Sequence, residues 1–197
     1  MKTERLAKNW SSILAVTVLT VSAPSLAMAQ AAHSHAGPGQ ELLQDPKSKG
    51  GALVQTVRDV TERFKDVNVA EAEGYHLAFG CVSGPDAGAM GMHFVNGALV
   101  GDGVIDATKP EIILYEPQPN GSLKLTGADY LVLADQWNAT HSSAPELMGQ
   151  FFHFFDAPNR FGLPPFYTLH VWAWKDSPTG TFVNWNTDVS CNAFGGR

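Results

Sequence analysis

The sequence predicts an α+β domain in which an N-terminal helix, or helix pair, covers a curved and mostly antiparallel sheet or barrel. Three observations carry this reading. Apolar residues recur at helical spacing between Leu53 and Val67. From Tyr75 onward the chain breaks into short β-branched and aromatic runs separated by turn residues. There is no repeat and no strand–helix alternation, so neither a solenoid nor a doubly wound parallel sheet is expected.

The helix is read from Leu53, Val57, Val60, Phe64 and Val67, which line one face, with Gln55, Arg58, Asp59, Glu62 and Arg63 on the other. Asp66 has the chemistry of an N-cap for a second short helix over 67–73, which Gly74 ends. Strands are expected at 75–82, 92–96, 111–115, 122–125, 129–134, 151–155, 166–174 and 181–185. Asn120-Gly121 between two apolar runs is the clearest hairpin signal, Asn96-Gly97 reads as a turn, and Glu146-Leu147-Met148 after Pro145 reads as a helical turn. Two long loops, 83–91 and 156–165, read either as segments that close over a site or as rigid surface connections.

The run 166–174 reads as a central strand because it is aromatic and β-branched, lacks Gly and Pro, and follows Leu163-Pro164-Pro165. Alternation puts Phe166, Thr168, His170, Trp172 and Trp174 on one face. Tyr167, Leu169, Val171 and Ala173 form the other, which suits a helix or a second sheet packed against it.

The N-terminus has the pattern of a signal peptide over residues 1–29. Lys2, Arg5 and Lys8 precede an apolar stretch at 13–21, and Ala27-Met28-Ala29 offers small residues for cleavage. That stretch is too short to span a bilayer, and no later run approaches the ~20 residues needed. The expectation is an exported chain, periplasmic or secreted, with no membrane span after cleavage. Residues 30–51 read as a flexible linker holding Gly37-Pro38-Gly39, Pro46, Gly50-Gly51 and a His33-x-His35 pair, and residues 52–197 as one domain.

Cleavage removes three basic residues and one acidic one, moving the formal charge from -6 to -8. Such a balance argues against nucleic-acid binding and is compatible with attracting cations. Cys81 and Cys191 are the two cysteines of the chain. In an oxidising compartment they are expected to form one disulfide, worth ~4–5 kcal/mol at most in the chain-entropy picture.

His93, Glu116, His153 and His170 are the candidate site residues, with Asp129 as a fifth. Each lies on or at the end of a β segment, and parity places His153, His170 and Glu116 among apolar neighbours on one face. Burying a polar group alone costs ~1–3 kcal/mol, and a charge costs more, so such groups are best buried together. Imidazoles with a carboxylate are a usual ligand set for zinc and other divalent metals, while Met90 and Met92 beside His93 hint at copper.

Two alternatives stay open at this point. One is a metal-dependent enzyme with Glu116 or Asp129 as general base. The other is a structural or assembly protein whose polar core is satisfied residue by residue. The chain holds no H-E-x-x-H and no G-x-S-x-G. A small ligand or a metal ion is the expected partner, and a homo-oligomer is compatible with the sequence.

Met90-Gly91-Met92-His93, the Pro110-Glu111-Ile112-Ile113-Leu114-Tyr115-Glu116-Pro117 run, Ala128-Asp129-Tyr130 and the His170-Val171-Trp172 element together resemble a family of exported bacterial proteins of unassigned function. Thr181-Phe182-Val183-Asn184-Trp185-Asn186 and Ser190-Cys191 fit the same pattern, so the likeness spans 55–192. Where the family carries a glutamate this chain has Asp129, which keeps the carboxylate but shortens its reach. A more distant likeness is to a small α+β barrel domain with a Met-Gly-x-His element. The resemblance implies a barrel-like fold with His93 and His170 pointing inward, and it implies no reaction.

Overall fold

The computed structural model describes residues 46–195. The segment expected as a signal peptide, most of the expected linker and the His33-x-His35 pair lie outside the described residues. Helix α1 runs Pro46–Thr61 and passes into a 3-10 turn, Glu62–Lys65. The linker was expected to reach Gly51; the helix begins five residues sooner, because proline suits a first helical turn. Gly50 is buried close to the Phe182 ring, so a small residue is needed there.

Leu53 and Val57 are fully buried on α1, and Phe64 is buried on the 3-10 turn that follows. The predicted face is therefore correct, although the tighter turn interrupts the helix before Phe64. Helix α2, Val67–Ala72, is capped by the Asp66 carboxylate, which accepts from Asn68 N–H, and Gly74 leaves it with φ +93°.

Six strands form one antiparallel, strongly curled half-barrel. In sequence they are β1 (His76–Gly84), β2 (Gly88–Val95), β3 (Ile112–Pro117), β4 (Leu123–Leu133), β7 (His153–Phe155) and β8 (Phe166–Val171), ordered β1-β2-β3-β4-β8-β7 across the sheet. The β3–β4 hairpin turns at Asn120-Gly121 as expected, with Gly121 at φ +83°. A two-residue pair, β5 (Glu146–Leu147) and β6 (Gln150–Phe151), replaces the helical turn expected at 146–148. Met148 and Gly149 both have positive φ, the requirement of a tight hairpin. Asn96-Gly97 also differs from expectation. Asn96 caps a short helix, α3 (Gly97–Asp102), by accepting from Ala98 and Leu99 N–H. A further short helix, α4 (Ala134–Asn138), follows β4.

Strand β4 merges the segments expected separately at 122–125 and 129–134. Between them lies Gly127, where a Cβ would stand 2.2 Å from the Val171 carbonyl oxygen, so a glycine is required for close approach of the end of β8. The segment expected as a strand at 181–185 is irregular. It still receives hydrogen bonds from the end of β8, from Trp172 N–H to Thr181 O and from the Trp172 indole to Val183 O.

The sheet buries both faces. Toward the helices, Leu53 and Val57 pack on Ala128, Tyr130, Leu169, Val171 and Ala173. Phe64 packs on Tyr75, Met92, Phe94, Ile113, Tyr115 and Leu125. Full burial of each large side chain contributes roughly 1.5–3 kcal/mol. On the opposite face Ile112, Leu114, Leu131 and Phe166 meet Trp172 and Val189. Cys81 and Cys191 are bonded, tying β1 to the C-terminal segment across a separation of 110 residues. The disulfide fits an oxidising, non-cytoplasmic location. Among the described residues no helix is long and apolar enough to cross a membrane.

Candidate metal centre

His93 comes from β2, Asp129 from β4 and His170 from β8. Asp129 and His170 are direct cross-strand partners, so their side chains share a face. His93 lies three strand spacings from His170, about 14 Å in a flat sheet. Their ring centroids are 5.7 Å apart. The curl of the sheet closes that gap, which makes this the concave face.

All three side chains are buried, at 2–3 % exposure. One atom from each lies within 4.8 Å of the others, so the group could hold a metal ion. An ion bonded at ~2.1 Å needs ligand atoms roughly 3.0–3.4 Å apart, so the three side chains would close inward by an ångström or so around it.

The hydrogen bonds prepare this geometry unevenly. His93 Nδ1 lies 3.2 Å from the Gly91 carbonyl oxygen, so Nδ1–H donates there and Nε2 keeps its lone pair. Asp129 accepts from the Thr168 hydroxyl and from Leu169 N–H. His170 is different, because neither Nδ1 nor Nε2 has a hydrogen-bond partner, although both are buried. Nδ1 stands 3.3 Å from Asp129 Oδ1, but that approach lacks hydrogen-bond geometry.

It is no ion pair either. Burial, with the nearby His93 and His153 charges, holds His170 well below its ordinary value. Burial pushes Asp129 up to about 7 against the opposing bonds from Thr168 and Leu169. Burial also lowers His93 to about 4, only partly offset by Gly91. At neutral pH both imidazoles are therefore neutral, the form that ligates metals.

Two expected members lie elsewhere. Glu116 is buried at the end of β3, but its carboxylate takes Lys175 Nζ at 2.7 Å and Ser190 N–H at 3.0 Å. It clasps the C-terminal segment. His153 sits opposite Thr168 in register and keeps Phe155 as a neighbour. The strand expected at 151–155 breaks at Phe152, however, Phe151 lies exposed in the two-stranded sheet, and the depth is wrong. Strand β7 is the edge of the sheet, where the imidazole is exposed and pairs with Asn184 Oδ1 at 3.0 Å. The two methionines also part company: Met90 lines the site cavity, whereas Met92 packs with Phe64 and Tyr115 on the helix side.

Thr168 and Glu111 are residues the sequence did not single out for chemistry. Thr168 was visible on the His170 face, but only register shows that it reaches Asp129. Glu111 heads β3 and accepts Leu131 N–H at 3.0 Å, and burial pushes it up to about 8. An acid next to Pro110 at the head of an apolar run was the available signal. A cavity of about 20 Å³ is lined by His93, Asp129, Thr168 and His170 together with Met90 and Phe161. Phe161 and Leu163 come from the 156–165 loop, which closes over the site. The long loop expected at 83–91 instead shrinks to a tight hairpin, because β1 runs to Gly84 and β2 starts at Gly88.

Fold and site together define an α+β half-barrel with a buried group of two histidines and one carboxylate on its concave face. Comparison with protein-family models, with curated proteins and with solved structures finds no match to this chain.

Proposed function

We propose that this is an exported protein, periplasmic or secreted, that binds one divalent metal ion through His93, Asp129 and His170. The observation that carries the reading is His170. Leaving a buried polar atom without a partner costs ~1–3 kcal/mol, and this ring leaves two. A polar core satisfied group by group does not leave both nitrogens of a central imidazole idle. A cation between His170, Asp129 and the free Nε2 of His93 removes the deficit and gives the Asp129 carboxylate a reason to ionise. Expected residues Glu116 and His153 have no part in it, since each has its own partner.

Elemental analysis and calorimetric titration of chelator-washed protein test the proposal. One equivalent of zinc, cobalt or iron(II) should bind to the wild type and to Glu116→Gln and His153→Ala. Binding should be lost in Asp129→Ala and in the double variant His93→Ala/His170→Ala. Equal uptake by the double variant would reject these ligands.

A further inference from the structure

Resting on the metal reading above, we propose that the ion is ferrous iron with an open coordination position, and that this position takes one small uncharged molecule of diatomic size. Two imidazoles and one carboxylate with open positions are the ligand set of mononuclear ferrous centres. No thiolate is on hand to shift the preference toward softer ions, because both cysteines are consumed in the disulfide.

The cavity sets the ligand's size and polarity. About 20 Å³ accommodates roughly one water-sized molecule and excludes a sugar, a peptide or a phosphate ester. Apart from the three ligands, Thr168 supplies the one polar side chain in the lining, and its hydroxyl is spent on Asp129. The remaining wall is apolar, with Met90, Ile112, Phe161 and Phe166 prominent. A hydrolytic zinc centre needs donors for a developing oxyanion and space for a polar substrate. Neither is present in this lining. An uncharged diatomic molecule needs no hydrogen bonds and partitions into apolar space.

Access is through aromatic side chains. Phe161 meets Phe79 edge to face at 5.4 Å, and Phe79 is 43 % exposed at the outer side of the lining. Phe161 also approaches the His93 ring, at 6.4 Å. Its ring is the layer between the ligands and the surface at this point, so removing it should admit larger molecules.

Nitric oxide is the probe. Chelator-washed full-length protein is loaded anaerobically with one equivalent of ferrous ion and titrated with nitric oxide, read by electron paramagnetic resonance. The expected result is a high-spin iron–nitrosyl signal from most of the bound iron, unaffected by excess imidazole. In Phe161→Ala, excess imidazole should cut that signal by half or more. Iron that binds without forming a nitrosyl overturns the open position. Imidazole competing equally well in the wild type overturns the size limit. Zinc or cobalt binding where iron does not would overturn the iron assignment and leave the metal reading standing. Failure of every ion to bind would overturn the metal reading itself.

Discussion

The helix-covered and concave faces of this sheet both pair their buried polar groups, Glu116 with Lys175 and Asp129 with Thr168 among them, and differ at His170. On the helix-covered face each such group named here has a partner. Tyr75, Tyr115 and Tyr130 donate their hydroxyls to the carbonyl oxygens of Pro110, Phe64 and Ala107. Thr61 donates to Val57 O and receives the Trp174 indole N–H. On the concave face, His170 sits at equal depth with neither nitrogen matched. One chain, one sheet and one degree of burial give two outcomes. The fold is thus able to satisfy deep polar groups, and the unmatched His170 is the departure that the metal proposal accounts for.

The largest test of this contrast is the cross-link. Replacing Cys81 and Cys191 by serine should cost ~2–5 kcal/mol in denaturant unfolding. Cys191 packs with Trp172 and Val189 over the concave face, not against the helices. Hydrogen exchange should therefore rise first over 183–194 while α1 stays protected. Equal loosening of α1 would mean that the two faces are not separable.

Next is pH. Glu111 is raised from an ordinary 4.5 to about 8. Between those values the unfolded chain has given up a proton that the folded chain keeps, so stability falls as pH rises, and the effect levels off above about 8. His93, depressed from 6.5 to about 4, works the other way: stability rises with pH between those values. The slopes oppose each other up to pH 6.5, and above it the acids are left alone. Metal-free protein should lose stability between pH 6.5 and 8, with Glu111 contributing ~2 kcal/mol. Glu111→Gln should flatten that part of the profile, and an unchanged slope would remove Glu111 as its source.

A paired substitution sharpens the comparison further. Tyr115→Phe leaves the Phe64 carbonyl unmatched and should destabilise the metal-free protein by ~1–2 kcal/mol. His170→Phe removes two unmatched nitrogens and should be neutral or stabilising in the metal-free protein. Equal losses in thermal unfolding would show that His170 serves packing alone. The smallest effect belongs to His153→Ala. At the exposed edge strand it should fall within ~0.5 kcal/mol of the wild type.

The fold was legible where local chemistry decides it. The helical face through Leu53 and Val57, the Asp66 cap, the Asn120-Gly121 hairpin, the disulfide and the face split along β8 follow from spacing and residue type. The expected 166–174 strand, however, stops at Val171, and Trp174, expected on the His170 face, turns to the helices, where its indole donates to Thr61. The gap left between the segments expected at 122–125 and 129–134 closes in β4, because Gly127 lies where the backbone of Val171 comes too near for a side chain, a contact that no local pattern reveals. The site was legible in part. His93, Asp129 and His170 were among the candidates, since parity and apolar neighbours identify inward groups. Depth was not legible: parity gives the face, whereas strand order gives the burial, and His153 proved to be on the edge. Glu116 was read as inward, which it is, but its Lys175 partner comes from a distant segment that no local pattern reveals.

Gly91 has one more consequence. Its left-handed backbone, φ +89°, brings β2 so near β3 that a Cβ would stand 2.5 Å from the Tyr115 carbonyl oxygen, and its own carbonyl anchors one end of the His93 ring. The two ends of that imidazole are thereby given separate duties. Asparagine reproduces the inner nitrogen of a histidine and glutamine the outer one. His93→Asn should keep the anchor and forfeit the ligand, whereas His93→Gln should offer a weak oxygen or nitrogen donor without the tether. A pair of amide half-rings can thus separate the architectural role of a single side chain from its chemical one.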